Sequence, residues 1–383
     1  MQENKRMLKS IFSICIALVN IPALFGSEPQ LLRTFKDNDG VNLVAFSPDS
    51  RTLASTGWSD IRLWDVNTGE KKCILNVGYD YCASLAFSPD GKMLAGGSDC
   101  KTLFLWDMSN QKEIARITTN DGTNGAATNV SSAVVFNPDG KTILAWNCDD
   151  HGDMQSIKYW DVAAQKNTST VQLKPRKYAW MRFSSDSKII AGVPDGDRMN
   201  HKIDFIDTAS GKILVRLDGG DSLNEMAFSP DGKKFAAGIT FILLEVAKTE
   251  KDVDVLHGLK IWDVKTGNKI LTLNGFEDSI FALAFSSDGK ILATGGLGNP
   301  IIKFWNVSTK GNIGQNISAL MNPKHYTDGI SCISFSPNGQ LLAAARTDGT
   351  IEIWDIQALG INEKSLSSTD NALDKTNAKQ TEK

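Results

Sequence analysis

One phrase recurs along this chain and limits what it can fold into: an apolar run ending in Phe, a tight turn, and a second apolar run rich in small residues. It reads AFSPDSRTLAST from Ala45, AFSPDGKMLAGG from Ala86, VFNPDGKTILAW from Val135 and RFSSDSKIIAGV from Arg182. It continues as AFSPDGKKFAAG from Ala227, AFSSDGKILATG from Ala284 and SFSPNGQLLAAA from Ser334. In Ser-Pro-Asp-Gly the Pro presets φ at the second turn position, Asp tolerates the third, and Gly closes a type I turn. Two antiparallel strands therefore flank every copy.

Each copy is followed by a second landmark: Trp64-Asp65, Trp106-Asp107, Trp160-Asp161, Ile206-Asp207, Trp262-Asp263, Trp305-Asn306 and Trp354-Asp355. Period-2 alternation precedes it, as in IRLWD and IEIWD, and turn residues follow it, as in DVNTG and DVKTG. The landmark thus ends a third strand and opens another hairpin. A repeat of about 50 residues suits a four-stranded blade rather than a helical solenoid unit.

The F-S-P-D-G turn combined with W-D and a following T-G resembles the WD-repeat β-propellers, over roughly residues 31 to 360. Related six-bladed propellers share the turn but lack W-D. The resemblance implies an all-β, seven-bladed propeller of four-stranded antiparallel blades. One family feature is missing, since the Gly-His pair usual ahead of the first strand is replaced by Gly78-Tyr79, Gly219-Gly220 or Gly275-Phe276. The His-centred buried network of the family is expected to be mostly absent, with only His325 near such a position and Asp99 and Asp348 keeping its turn acid.

The two ends indicate how the ring closes. LLRTFKDNDG from Leu31 matches the fourth-strand phrase ILTLNGFEDS from Ile270, whereas the last copy has no fourth strand of its own. The N-terminal strand is expected to complete blade seven, because closure removes exposed sheet edges. Ahead of it, residues 1–26 carry Lys5, Arg6 and Lys9, then an apolar run from Ile11 interrupted by Asn20 and Pro22, then Gly26-Ser27. This reads as a cleaved export signal, with an uncleaved anchor as the alternative. The domain organisation expected is signal 1–26, propeller 27–361 and a polar, disordered tail 362–383. An exported, periplasmic or extracellular, monomeric ring follows, with no membrane span once the signal is removed.

With 41% hydrophobic and 22% charged residues the chain can bury a sizeable core. Its 41 Lys and Arg against 44 Asp and Glu leave a formal net charge of -3, which gives no basic footprint for nucleic acid. After signal removal, Cys73, Cys82, Cys100, Cys148 and Cys332 form an odd set without C-x-x-C, read as small hydrophobes. Neither a nucleophile elbow, a P-loop nor H-E-x-x-H occurs. Asp37-Asn38-Asp39-Gly40 lacks the rest of a calcium loop and reads as a polar turn. Four N-x-S/T spellings, at Asn129, Asn167, Asn306 and Asn316, matter only in a host that glycosylates.

The copies differ chiefly between their second and third strands, where blades three, four and five carry NCDDHGDMQS, VPDGDRMNH and ITFILLEVAKTEKDVDVLH. Insertions on one face of a repeat ring usually form its binding surface. Candidate partner-binding residues there are Asp149, Asp150, His151, His201, Phe241, Leu243 and His257. A metal site from His151, His201 and His257 is disfavoured, because strands about 4.8 Å apart set the third strands of neighbouring blades far from one another. No metal and no cofactor is expected, and these histidines are read as solvated loop residues. Beside the axis most copies have small or aliphatic residues one and three positions before the repeat Phe, but blades four and five have Trp180, Arg182 and Glu225. These complete the candidate site, either as a polar anchor beneath the insertions or as an ion pair bridging two blades. The function expected is a noncatalytic scaffold for a protein partner. Two alternatives stay open: a propeller hydrolase or lyase using channel-mouth carboxylates, and a carbohydrate- or envelope-binding module.

Overall fold

The computed structural model describes residues 28–37, 40–57, 60–78, 82–98, 102–118, 133–148, 155–173, 177–195, 201–220, 222–243, 254–308, 313–325 and 328–359. Residues 1–26 and 362–383, the expected signal and tail, lie outside the described residues. The unit Gln30–Ile356 is made of seven four-stranded antiparallel sheets. Blade one comprises Leu43–Phe46, Thr52–Thr56, Asp60–Asp65 and Lys71–Asn76; blade two comprises Cys82–Phe87, Met93–Ser98, Thr102–Asp107 and Lys112–Thr118. Blade three comprises Val134–Phe136, Thr142–Cys148, Gln155–Asp161 and Lys166–Leu173; blade four comprises Tyr178–Phe183, Ile189–Pro194, His201–Asp207 and Ile213–Gly220. Blade five comprises Ser222–Phe228, Lys234–Leu243, Asp254–Asp263 and Lys269–Phe276; blade six comprises Ile280–Phe285, Ile291–Gly296, Ile302–Asn306 and Asn316–Leu320. Blade seven takes three strands from the C-terminal side, Ile330–Phe335, Leu341–Arg346 and Thr350–Asp355, and its outer strand, Gln30–Lys36, from the N-terminal side. That strand pairs antiparallel with Thr350–Asp355, Phe35 opposite Ile351, so the ring closes as the end-matching predicts.

The repeat turn does more than reverse the chain. In blade one Ser47 Oγ donates to Asp49 Oδ1 at 2.6 Å and accepts from Thr52 N, while Asp49 Oδ1 also accepts from Arg51 N. The same Ser–Asp pair recurs at Ser88–Asp90, Ser184–Asp186, Ser229–Asp231 and Ser286–Asp288. The residue after the Asp, or after Asn338 in blade seven, has left-handed φ: Gly in five blades, but Ser50 at 62° and Ser187 at 60°. Each of these serines uses its hydroxyl across a blade boundary. Ser187 Oγ donates to Phe136 O at 3.1 Å, and Ser50 Oγ accepts from Asn338 N at 3.2 Å.

Apolar packing lies between blades. One cluster joins Phe205 and Leu217 of blade four to Met226, Phe235 and Trp262 of blade five, and equivalent clusters join blades seven and one, one and two, two and three, three and four, and five and six. Phe304 of blade six meets Phe335 of blade seven edge-on at 6.3 Å. Each such buried side chain contributes about 1.5–3 kcal/mol of transfer free energy.

The repeat Trp hydrogen-bonds across the blade where the neighbouring strand offers a hydroxyl, as Trp64 to Ser55 and Trp305 to Thr294, both at 2.9 Å. At the matching place blade three has Ala145, and Trp160 Nε1 has no hydrogen-bond partner among the described residues. In three blades a buried carboxylate is paired with an arginine where the histidine network is missing. In blade one Arg62 pairs with fully buried Asp37, which also accepts from Ser55. Asp37 is therefore a structural acid in the ring rather than part of a polar surface turn; Asn38 and Asp39 lie outside the described residues. In blade four Asp204 takes Arg216 at 2.6 Å and the Tyr178 hydroxyl at 3.1 Å, with Gly192 leaving the room that Tyr178 occupies. In blade seven Glu352 takes Arg346 at 2.7 Å, Asn322 at 2.7 Å and Trp354 at 3.1 Å. A guanidinium engages a carboxylate through several donors, so each of these arginines satisfies a buried acid that a neutral histidine would satisfy only once.

Candidate functional site

Innermost strands border the axis, and the positions one and three before the repeat Phe, half-buried except Ala133 and Ala282, sit next to it. At those positions Glu225 is the single carboxylate and Arg182 the single cation. Arg182 Nη2 lies 3.2 Å from Glu225 Oε1, linking blade four to blade five, and its guanidinium stacks 5.4 Å from the Trp180 ring centroid. Arg182 Nη1 also donates to Met181 O at 3.3 Å. Burial pushes the Glu225 carboxyl above its ordinary value, against the pull of Arg182. The Cys332 thiol of blade seven is raised to about 11, chiefly by burial, and it feels the charges of both Glu225 and Arg182. At that value it stays protonated near neutral pH and is no nucleophile. Of the two sequence expectations for this trio, the inter-blade ion pair is what the geometry contains, and both its side chains keep 20–28% of their surface exposed.

Asp149, Asp150 and His151 lie outside the described residues. His201 opens the third strand of blade four, its backbone opposite Gly220. Phe241 and Leu243 fall at the end of the second strand of blade five, opposite Leu256 and Asp254. That strand and its partner are ten residues long, whereas the innermost strand pairs only as far as Thr240, opposite Ser222. Residues 241–243 and 254–256 thus form a two-stranded ribbon past the inner strand of the blade. His257 lies at its base and is half-buried, with Nδ1 3.2 Å from Ser279 Oγ in the connection to blade six. His257 is therefore held against the ring and is not a solvated loop residue.

The opposite, Ser-Pro-Asp-Gly face has a cleft of about 240 Å³ between blades one and two, with Asp49, Lys72, Phe87, Asp90 and Met108 among its lining. Its carboxylates are engaged by their own turns. The hydrogen bond from Ser47 holds Asp49 below the usual carboxylate range, and that from Ser88 does the same for Asp90.

One constellation on the long-loop side did not emerge from the sequence reading. His325 Nδ1 lies 3.2 Å from Asp328 Oδ2 and 3.4 Å from Asp348 Oδ2. Lys36 Nζ reaches the same Asp348 oxygen at 2.8 Å. His325 and Asp348 were visible singly, as the histidine and turn acid of blade seven, and Asp328 stands seven residues before the repeat Phe, as Asp39, Asp80, Asp221 and Asp278 do in other copies; Lys36 carries no repeat signal. Among the described residues no helix is long and apolar enough to cross a membrane.

The family model "WD domain, G-beta repeat" matches residues 29–65, 71–107, 267–306 and 318–355. Each stretch runs from an outer strand through the next three and ends at a W-D or W-N landmark, and the blades with the long insertions are passed over. Curated relatives include the "Transcriptional corepressor LEUNIG_HOMOLOG" of Arabidopsis thaliana, 24% identical over 83% of this chain and 36% of its own length. "Cilia- and flagella-associated protein 52" of Chlamydomonas reinhardtii is 25% identical over 90% of this chain and 51% of its own length. "Nuclear distribution protein PAC1" of Arthroderma otae is 26% identical over 78% of this chain and 65% of its own length. The chain spans between a third and two thirds of these relatives.

Proposed function

Given that the chain is a WD-repeat β-propeller, we propose that it is an exported, noncatalytic scaffold whose protein partner docks on the long-loop face of blades three to five. WD-repeat propellers are typically protein-interaction scaffolds. The observation that carries the choice of face is the blade-five ribbon. A two-stranded hairpin is at best marginally stable alone in water, and the sequence spends Phe241, Ile242, Val255 and Leu256 on this one. Among the described residues neither edge of this ribbon pairs with a third strand, and such an edge is a place where a partner can add backbone hydrogen bonds. The Arg182–Glu225 pair supports the reading against the enzyme alternative, because the axial carboxylate is engaged by a cation and no second acid stands at the described axial positions to share proton transfer.

Export rests on residues 1–26, where Lys5, Arg6 and Lys9 precede the apolar run. Two measurements test the two halves. N-terminal sequencing of the mature protein should begin at or near Ser27, and intact Met1 protein recovered from the cytosol overturns export. Replacing residues 240–256 with an Asn-Gly turn should abolish partner retention with the circular dichroism spectrum of the ring unchanged. Retention that survives this replacement but is lost on changing Asp90 and Asp231 places the partner on the opposite face.

A further inference from the structure

We propose that the cleft between blades one and two on the Ser-Pro-Asp-Gly face binds a primary alkylammonium group, its charge on Asp49 and Asp90 and its carbon chain against Phe87, Met108 and Leu63. The cleft encloses about 240 Å³ and is lined from both blades. At roughly 30 Å³ for each water-sized volume, it accommodates a ligand of about six to eight non-hydrogen atoms. This site is separate from the face on which the protein partner docks.

Two departures from the repeat leave the space open. The turn after the third strand has Gly in blades one, four, five and six. A Cβ added to Gly69, Gly211, Gly267 or Gly314 would lie 3.0, 2.8, 2.4 or 3.0 Å from an atom of the preceding blade's outer strand, so these turns press on their neighbours. Blade two has Gln111 at φ 60° instead, as blade three has Gln165 at 50°. A residue with a Cβ cannot come so close, and Gln111 lines the cleft. The residue after the landmark differs as well: Val66, Val264, Val307 and Ile356 are buried, whereas Met108 is half-buried. Phe87 is half-buried too, while the repeat residues Phe46, Phe136 and Phe285 are buried. Apolar surface left open beside charge suits an amphipathic ligand, and Met adapts its shape to one.

The charges select a cation. Each lining carboxylate gives one oxygen to its own turn: Asp49 Oδ1 takes Ser47 Oγ and Arg51 N, and Asp90 Oδ1 takes Ser88 Oγ and Lys92 N. Among the described residues Asp49 Oδ2 accepts no hydrogen bond. Asp90 Oδ2 is 3.8 Å from Lys92 Nζ, on a side chain that is 79% exposed. The turn bonds hold both groups below the usual carboxylate range, so both are ionised at neutral pH. Lys72 also lines the cleft, but its ammonium is held by Thr52 Oγ1 at 3.1 Å and by Asp65 Oδ2 at 3.2 Å, an acid outside the lining. Two carboxylates thus face the space with the one lysine already neutralised, and an ammonium brings three donors to their second oxygens.

The test titrates the folded full chain with pentylamine by ligand-observed NMR. Expected is one saturable site with a Kd of about 1 mM or tighter. Methylamine has the charge without the chain, pentanol the chain without the charge, and pentanoate the opposite charge; each should bind at least about tenfold more weakly. Asp49→Asn and Asp90→Asn should each weaken pentylamine at least about fivefold. Both variants should fold, because Asn338 already holds the same turn in blade seven through Ser336 Oγ and Gln340 N, and melting curves check this. A short peptide with one internal lysine, run in competition, separates the two sources of such a group. Displacement of pentylamine by this peptide, and not by its Nε-acetylated form, assigns the cleft to a protein lysine; no displacement assigns it to a free amine. The proposal is overturned if pentylamine does not saturate below about 10 mM, if pentanoate binds as well, or if a folded Asp49→Asn, Asp90→Asn double variant binds pentylamine unchanged. Replacing residues 240–256 leaves every lining residue in place, so this result and the one for the protein partner are read independently.

Discussion

Arg182 and Glu225 show how much one exception to a repeat rule can do. Each replaces a small residue beside the axis, and each is tolerable there only because of the other. Truncating one partner strands the other charge, which costs about 3–5 kcal/mol in a fully buried pair. Here water reaches both side chains, so Arg182→Ala should cost roughly 2 kcal/mol. The double replacement by Ala, which restores the rule of the other blades, should melt within about 0.5 kcal/mol of the parent. Urea titration of the single and double variants checks this as a cycle. A double variant as unstable as the single one means that packing of the Arg182 stem on Trp180, rather than the ion pair, holds the two blades.

At the scale of the element, the repeat turn explains why five copies spell Gly and two spell Ser. A Cβ at left-handed φ costs about 1 kcal/mol or more, and Ser50 and Ser187 bear that cost at 62° and 60°. What they gain is a side-chain hydrogen bond to the preceding blade of the ring, which a Gly turn lacks. Ser187→Ala keeps the unfavourable backbone and loses the bond, leaving Phe136 O without this donor. Ser187→Gly loses the bond but relieves the backbone. We expect Ser187→Ala to be the less stable of the two by about 1 kcal/mol, read from chemical denaturation midpoints. The opposite order would mean that unfolded-chain entropy of the glycine outweighs the turn.

For the whole molecule the decisive event is ring closure. The outer strand Gln30–Lys36 is joined to blade seven by its ladder and by Lys36, whose ammonium bonds the Asp348 carboxylate, Asp348 O and Thr350 Oγ1. Removing residues 30–36 should leave Thr350–Asp355 as an open edge and make the ring aggregate, visible by light scattering. The latch also makes closure sensitive to acid. Burial alone would raise the Asp348 carboxyl, but hydrogen bonds from Lys36 and Thr350 outweigh it and hold the group at about 2. A carboxyl depressed in the folded state contributes stability above its unfolded value, near 4, and loses it as pH falls toward the folded value. The stability difference between the parent and Asp348→Asn should therefore be full at neutral pH and shrink between about pH 4 and pH 2. A difference independent of pH would assign the effect to lost turn hydrogen bonds alone.

Seven blades, their four-stranded build and the borrowed outer strand were legible in the string because each depends on neighbours in sequence. A Ser-Pro-Asp-Gly turn fixes its own hairpin, alternation fixes the face of each strand, and the Leu31–Phe35 phrase matches other fourth strands without reference to any distant contact. The Arg182–Glu225 pair was legible for the same reason, since a strict repeat makes its exceptions visible and their blades adjacent. The rest depended on contacts that no local rule encodes. Asp37 looks like one more polar turn residue until folding sets Arg62 beside it, 25 residues away. The His325 cluster needs the connection from blade six, a turn of blade seven and a lysine 312 residues from Asp348. Such pairings arise only when the ring closes, because a buried carboxylate accepts whichever cation the tertiary structure delivers, and the sequence does not say which that is.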